Sequence, residues 1–320
     1  MWVQAREFVF LGAGCLGTTE ILLRSREYGV PLSNRVGMNM SGNGDILAFG
    51  YNGEKTANAI GTDNEEYLKE HPVGPTISGI IDMRDEEVSP HARDGYVIEE
   101  GAVPKALAHF LQVMYDFTPG HRIPHGLGLL RRVDELVSRL TGDMLGPWHQ
   151  DGALNRTMIY LIMSHDANQG NLYLNKNKPS LEFRGVEHSI HVKQINNLLK
   201  TAMGKMGAEY IPNPFTSRQM GRSEISVHPL GGANMSPDGT GLSGVTNHLG
   251  QLFKGVGSEV YEGLVVVDGA VIPSSLGVNP FATITALAER TIQTLAVQKG
   301  WEIDYTLPKS NVCLRKPIDH

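Results

Sequence analysis

Cysteine is almost missing from this chain: Cys15 and Cys313 are the two thiols in 320 residues. Two thiols make no disulfide framework, so the fold must rest on a buried core, and a reducing or redox-indifferent compartment is favoured. Long apolar runs are missing too. Nothing reaches the roughly 20 residues that a membrane-spanning helix needs. The start, Met1-Trp2-Val3-Gln4-Ala5-Arg6-Glu7-Phe8, has no extended apolar core of a secretory signal. A soluble protein of unspecified compartment is expected. Basic residues are outnumbered, 28 Lys and Arg against 34 Asp and Glu, for a net charge of −6. That balance offers no broad cationic footprint for nucleic acid. Internal repeats and low-complexity tracts are absent as well. What the chain has in excess is glycine, 37 residues, above the usual share near 7%. Such an excess marks tight turns and close approach of backbone to a ligand.

Short apolar runs bounded by glycine predict strands at 8–11 and 46–51. Further strands are expected at 76–83, 96–99, 225–228 and 260–267, and an antiparallel meander at 158–163, 171–174 and 181–183. Helical spacing of apolar residues predicts helices at 18–26, 105–115, 131–140, 189–206 and 282–298, the third ending before Gly142. The polar stretch 52–70 reads as loop. Strands and helices thus alternate at both ends around a middle of antiparallel pieces. This pattern implies a nucleotide-binding α/β core interrupted by a separate sheet-and-helix domain.

Three elements near the end place a polar or backbone group at the end of a rigid unit. In His228-Pro229-Leu230-Gly231-Gly232, the proline and glycines hold a histidine at a turn. Imidazole suits the acceptance or positioning of an alcohol proton near neutral pH, although a histidine beside proline is more often structural. Asp268-Gly269 closes a valine-rich strand, a common ligand position in α/β folds, and its glycine serves equally as a turn residue. Asn279-Pro280-Phe281 opens a helix, with Pro280 suited to the first turn and Asn279 to an N-cap.

Upstream, Gly12-Ala13-Gly14-Cys15-Leu16-Gly17 has the G-x-G-x-x-G spacing between a strand and a helix. A primary dinucleotide phosphate loop would need a second strand with an acid about 20 residues on. Here Gly29-Val30-Pro31-Leu32-Ser33-Asn34 follows, and the next acid, Asp45, precedes its strand. A packing turn between strand and helix is the alternative. Histidines pair with one another or with acids at His121 and His125, His149 and Asp151, His165 and Asp166, and His188 and His191. No pair has the partners of a recognisable metal site, so no metal is expected.

Together, the His228 turn, the Asp268-Gly269 strand end and the Asn279-Pro280 helix start resemble the C-terminal signature of the glucose–methanol–choline (GMC) flavin oxidoreductases, most closely the cholesterol-oxidase branch. The resemblance is strongest over 8–51 and 228–295. It identifies Gly12–Gly17 with the segment where those enzymes re-enter the FAD domain, followed by the Ser41-Gly42-Asn43-Gly44-Asp45 stretch. We favour this third reading of the glycine loop. The resemblance implies a partial FAD-binding Rossmann-like domain, interrupted by a substrate domain with a mainly antiparallel sheet covered by helices. Its portions would be 1–43 and 256–320 for the FAD domain and 44–255, with the His228 turn, for the substrate domain.

Oxidation of a sterol-like or other apolar alcohol is implied, with hydride passing to flavin N5. By the same resemblance, His228 and Asn279 are the catalytic residues, and Gly12, Gly14, Asp268, Gly269, Asn279, Pro280 and Phe281 bind FAD. The sequence departs from the pattern in three places. Ala233 follows the turn where the branch has cysteine. Leu154-Asn155-Arg156-Thr157 lacks the glutamate that serves sterol isomerisation, with Asp151 the nearest acid. The first FAD phosphate loop, which the family carries far upstream, is not in this chain. The alternative is therefore a truncated or remnant fragment that binds no flavin alone, acting with a missing N-terminal half or as a non-catalytic protein.

Overall fold

The computed structural model describes residues 5–62, 65–70, 72, 76–85, 91–117, 129–183, 190–213 and 225–306. In chain order the elements begin with β1 (Val9–Leu11), α1 (Gly14–Glu27), β2 (Ile46–Tyr51), α2 (Glu65–Glu70), β3 (Ile80–Asp82) and β4 (Val97–Gly101). Then come α3 (Ala108–Phe117), α4 (Leu129–Leu145), β5 (Met158–Met163), β6 (Asn171–Asn175), β7 (Lys178–Glu182) and α5 (Ile190–Lys205). The chain ends with β8 (Glu209–Pro212), β9 (Gln251–Phe253), β10 (Val260–Val266) and α6 (Phe281–Lys299).

The ends of the chain meet in a small sheet of order β1-β10-β9. β1 and β10 are parallel, with Val9 opposite Leu264 and Leu11 opposite Val266. Apolar residues of α1, the His228 turn and β10 share one buried cluster, including Leu22, Leu23, Leu230, Ala233, Val266 and Ala270. The helix after β1 starts at Gly14 rather than at 18, because Thr18 Oγ1 accepts from the Ala13 amide at 3.1 Å and closes the entry turn.

The middle of the chain forms a five-stranded antiparallel sheet of order β3-β4-β5-β2-β8. Side chains of β2 alternate between its faces. Leu47, Phe49 and Tyr51 pack with Leu111 and Tyr115 of α3, whereas Ile46 and Ala48 pack with Ile195, Leu199 and Met203 of α5. Both faces are covered, which is why this strand reads as a continuous apolar run instead of an alternating one.

Several expectations need correction. The meander does not form: β5 lies between β2 and β4, while β6 and β7 make a separate hairpin. The hairpin turns at Lys176 and Asn177, with φ of 49° and 63°, the left-handed backbone of a two-residue turn. Residues 225–228 form no strand, since the amides of Val227 and His228 donate to the Asp45 side chain instead of to a ladder. β8, β9 and α2 were not anticipated; each is short, and periodicity has little to act on.

Gly142 does not end α4. It lies inside the helix where Gly152 approaches so closely that a Cβ on Gly152 would stand 3.3 Å from the Gly142 Cα. This helix also turns its polar side inward. Arg131 donates to the carbonyls of Asn52 and Gly207, and Ser138 to the Asn52 side chain, while Leu130, Val133, Leu136, Leu140 and Met144 are exposed. No helix among the described residues is long and apolar enough to cross a membrane.

Candidate active site

The His228 turn is tied down on two sides. Leu230 and Ser41 exchange backbone hydrogen bonds of 2.8 and 2.9 Å, and the Gly231 and Ala233 amides donate to the carbonyls of Gly269 and Ala270. Asn234 Oδ1 accepts from the Gly232 amide at 2.7 Å. Gly232 has no room for a side chain: at φ 93° its Cβ would fall 2.4 Å from Thr19 Oγ1. The turn therefore presents His228 from a fixed backbone, with its side chain 17% exposed. Its Nδ1 lies 3.2 Å from Oδ1 of Asp45, whose side chain is fully buried.

Asn279 is reached from the same place. Asn43, also fully buried, accepts from the Leu276 amide at 2.8 Å and donates to the Val278 carbonyl at 2.9 Å. Its φ of 57° places it in left-handed backbone, a conformation that asparagine tolerates better than most residues. One short turn, Ser41 to Asp45, thus grips both the histidine turn and the segment that delivers Asn279. Asp166 anchors that turn from below, accepting from Ser41 Oγ at 2.9 Å and the Gly42 amide at 2.7 Å.

The Asn279 side chain does not cap α6. Its Nδ2 donates to Oε2 of Glu99 at 3.1 Å, and Glu99 is buried in β4 opposite Leu161 of β5. Pro280 takes the N-cap position and no side chain bonds to the cap, so α6 presents an uncapped positive end. Phe281 begins the helix and is exposed. Before it, Gly277 packs on an imidazole: at φ 66° its Cβ would stand 2.6 Å from His165 Nε2. His165 also meets Ser275 Oγ through Nδ1 at 3.3 Å. Burial, aided by the charge of Arg93, lowers the His165 pKa below the ordinary imidazole value.

Other residues singled out in the sequence serve the frame. Asp268 accepts from Thr18 Oγ1 at 2.5 Å and from the Ala270 amide at 2.9 Å, so both oxygens are engaged within the protein. Gly269 is buried, and a Cβ there would press on Ile284 at 3.2 Å. Gly12 and Gly14 lie in the β1–α1 turn, and around Gly14 an added Cβ would meet nothing within 4 Å. Cys15 inside this turn donates to the Gly231 carbonyl at 3.0 Å. Burial first, then the charge of Asp268, pushes its thiol up to about 12.

The strand after α1 does not return to the β1 sheet but enters the five-stranded one. Among the described residues, then, the glycine loop belongs to no βαβ unit. Sequence reasoning missed Asn43, Glu99 and His165 as site residues. Asn43 was visible as part of the Ser41–Asp45 stretch, whereas Glu99 sits in an ordinary strand and gave no local signal. His149 accepts from the Asp151 amide at 3.2 Å. His165 and Asp166 face different groups. His121, His125, His188 and Cys313 lie outside the described residues. No group of three or more metal-ligating side chains occurs among the described residues.

Comparison with known proteins places the chain near a family of oxidoreductases. Residues 174–288 match the family described as GMC oxidoreductase. The cholesterol oxidase of Acinetobacter baumannii is 28% identical over 156 residues, 46% of this chain and 26% of that protein. A formate oxidase variant from Aspergillus oryzae RIB40 superposes with a TM-score of 0.54 at 12% identity, over 92% of this chain and 55% of its own. A second formate oxidase structure gives 0.52 at 12% identity with the same coverage. At such identity these structures speak for the fold alone. The chain spans about a quarter of the curated relative, 26%, and little more than half of the solved chains, 55%.

Proposed function

We propose that this chain, a GMC oxidoreductase relative by the match of residues 174–288, supplies the alcohol-handling end of an FAD-dependent oxidoreductase acting on an apolar alcohol. The observation that carries the proposal is the Ser41–Asp45 turn, which brings His228 and the Asn279 segment, far apart in sequence, onto one support. His228, partly exposed on a fixed backbone, would accept the hydroxyl proton. Asn279, with one N–H held by Glu99, keeps its carbonyl oxygen and second N–H for the substrate oxygen or the cofactor ring. A sterol-like alcohol is the first substrate class to test, supported by the likeness to a cholesterol oxidase.

The residues present fit one end of FAD. The uncapped start of α6 would favour a ring that gains negative charge, whereas the room left by the absent Gly269 side chain is taken by Ile284. Pro280 and Phe281 would border that ring, with Asp268 holding the strand end beside it. When bound, FAD supplies the hydride acceptor, and the protein groups orient the alcohol and take its proton. The fit stops at the other end: among the described residues, Gly12 and Gly14 have no second strand and acid that would hold ribose and pyrophosphate. We therefore assign that end to an N-terminal half outside this chain. β1 is suited to receive it, standing at the edge of its sheet with Phe10 exposed.

A visible-absorbance titration tests this division. The chain alone should give no stable flavin band with added FAD, and a fusion behind the N-terminal FAD-binding segment of a cholesterol oxidase should retain one. A stable band in the chain alone would refute the missing-half assignment. No band in the fusion would leave the non-catalytic fragment as the reading.

A further inference from the structure

Among the described residues, Asp45 is the carboxylate that pairs with the histidine, and its surroundings decide what it does there. Its Oδ2 accepts from the amides of Val227 at 2.8 Å and His228 at 3.1 Å, with Ser226 Oγ 3.3 Å away. Its Oδ1 lies 3.2 Å from His228 Nδ1. An ionised carboxylate offers acceptors only, so the ring nitrogen beside it has to be the donor. The neutral imidazole carries a single N–H, and which nitrogen holds it follows from the bond the other side makes.

We infer that Asp45 is a positioning residue that holds His228 as the Nδ1–H tautomer, leaving the lone pair on Nε2 for the alcohol hydroxyl. The use of that lone pair rests on the proposed function; the tautomer does not. In the proton step the O–H bond of the alcohol breaks, its electron pair stays on oxygen, and the proton forms a bond to Nε2. The resulting imidazolium then carries its charge against the Asp45 carboxylate. Nothing in the local sequence announces this pairing, because Asp45 and His228 are 183 positions apart.

Replacing Asp45 with asparagine makes the assignment testable. The two backbone amides at the Oδ2 position still require an oxygen there. The amide NH2 must then face Nδ1, and as a donor it forces Nδ1 to become the acceptor. The same carboxylate-to-amide change beside a catalytic histidine traps the wrong tautomer in serine proteases. The measurement is two-bond 1H–15N correlation of the chain labelled with 15N-histidine, at a pH where the ring is neutral, with the signal assigned by its loss in His228→Gln. The wild-type chain should show a protonated, pyrrole-type Nδ1 and a pyridine-type Nε2. Asp45→Asn should exchange the two, and Ser226→Ala should leave them as in wild type.

A pyridine-type Nδ1 in the wild type overturns the inference, and this arm stands even where Asp45→Asn fails to fold. An unchanged tautomer in folded Asp45→Asn overturns it as well. In the fused enzyme, Asp45→Asn should lower kcat by about 100-fold or more with little change in KM, the range of a lost general base. If the tautomers follow the inference while His228→Gln retains full kcat, the proposed function fails and the positioning role of Asp45 stands.

Discussion

Removing the Asn43 side chain tests the support on which the whole site is built. Asn43 is fully buried and makes two bonds to the Leu276–Val278 segment, at 2.8 and 2.9 Å. Asn43→Gly keeps a residue at ease with φ 57° but leaves the Leu276 amide and the Val278 carbonyl without that partner. A buried polar group left unsatisfied costs about 1–3 kcal/mol; Leu276 and Val278 are half-buried, so the pair together should cost about 1–3 kcal/mol. Asn43→Ala should lose the same bonds and a further ~1–2 kcal/mol, because alanine resists left-handed backbone. Urea denaturation followed by circular dichroism measures both, and hydrogen exchange at Leu276 locates the loss. Exchange there should be faster by tenfold or more, since every ~1.4 kcal/mol is tenfold in an equilibrium. If Asn43→Gly stays within about 0.5 kcal/mol of wild type and Leu276 exchanges as before, the clamp is not holding the Asn279 segment.

Two further outcomes follow from the electrostatics. Burial and Arg93 lower the His165 pKa from its ordinary 6.5. The fold thus favours the neutral ring, and its contribution is present above about 6.5 and lost as pH falls through the lower, folded value. The urea midpoint should drop between about pH 7.5 and pH 5, and His165→Gln should drop less; an equal fall in both would discount His165 as a source. Cys15, with its pKa pushed to about 12, should alkylate with iodoacetamide at about pH 8 on the order of 1,000-fold more slowly in the folded chain than in urea, from the thiolate fraction alone. Peptide mass spectrometry at Cys15 reads the rate, and equal rates in both states would contradict its burial.

The strands β2, β5 and β10 and the long helices α1, α5 and α6 were legible because burial extends over enough residues to leave an apolar run or a period, and the three-residue β1 was legible from its apolar run against glycine. Pairing was not. The run at 158–163 gives no sign that β5 lies between β2 and β4, because register is fixed by contacts distant in sequence. Residues 225–228 read as a strand leading into a turn, yet Asp45 takes the amides that a ladder would need. The His228 turn and the Asn279 helix start were recognisable as a combination of residue types at rigid ends. Their supports were not: Glu99 lies in a plain strand, and Asn43 and Asp45 matter only once the fold sets 276–278 and 228 against them. Asp268 shows the converse. Its motif drew attention to a ligand, while its carboxylate is spent on Thr18 and the Ala270 amide.

The central claim is that His228 and Asn279 form the reacting end of an alcohol-oxidising flavoprotein. Anaerobic stopped-flow absorbance on the fusion with an N-terminal FAD-binding segment tests it most directly. Mixing with an apolar alcohol such as a sterol in detergent should bleach the flavin band in a single turnover. The rate should fall by about 100-fold or more in His228→Gln and in Asn279→Ala, the range of a positioned proton acceptor or oxyanion donor. Bleaching at the wild-type rate in both variants would contradict the account.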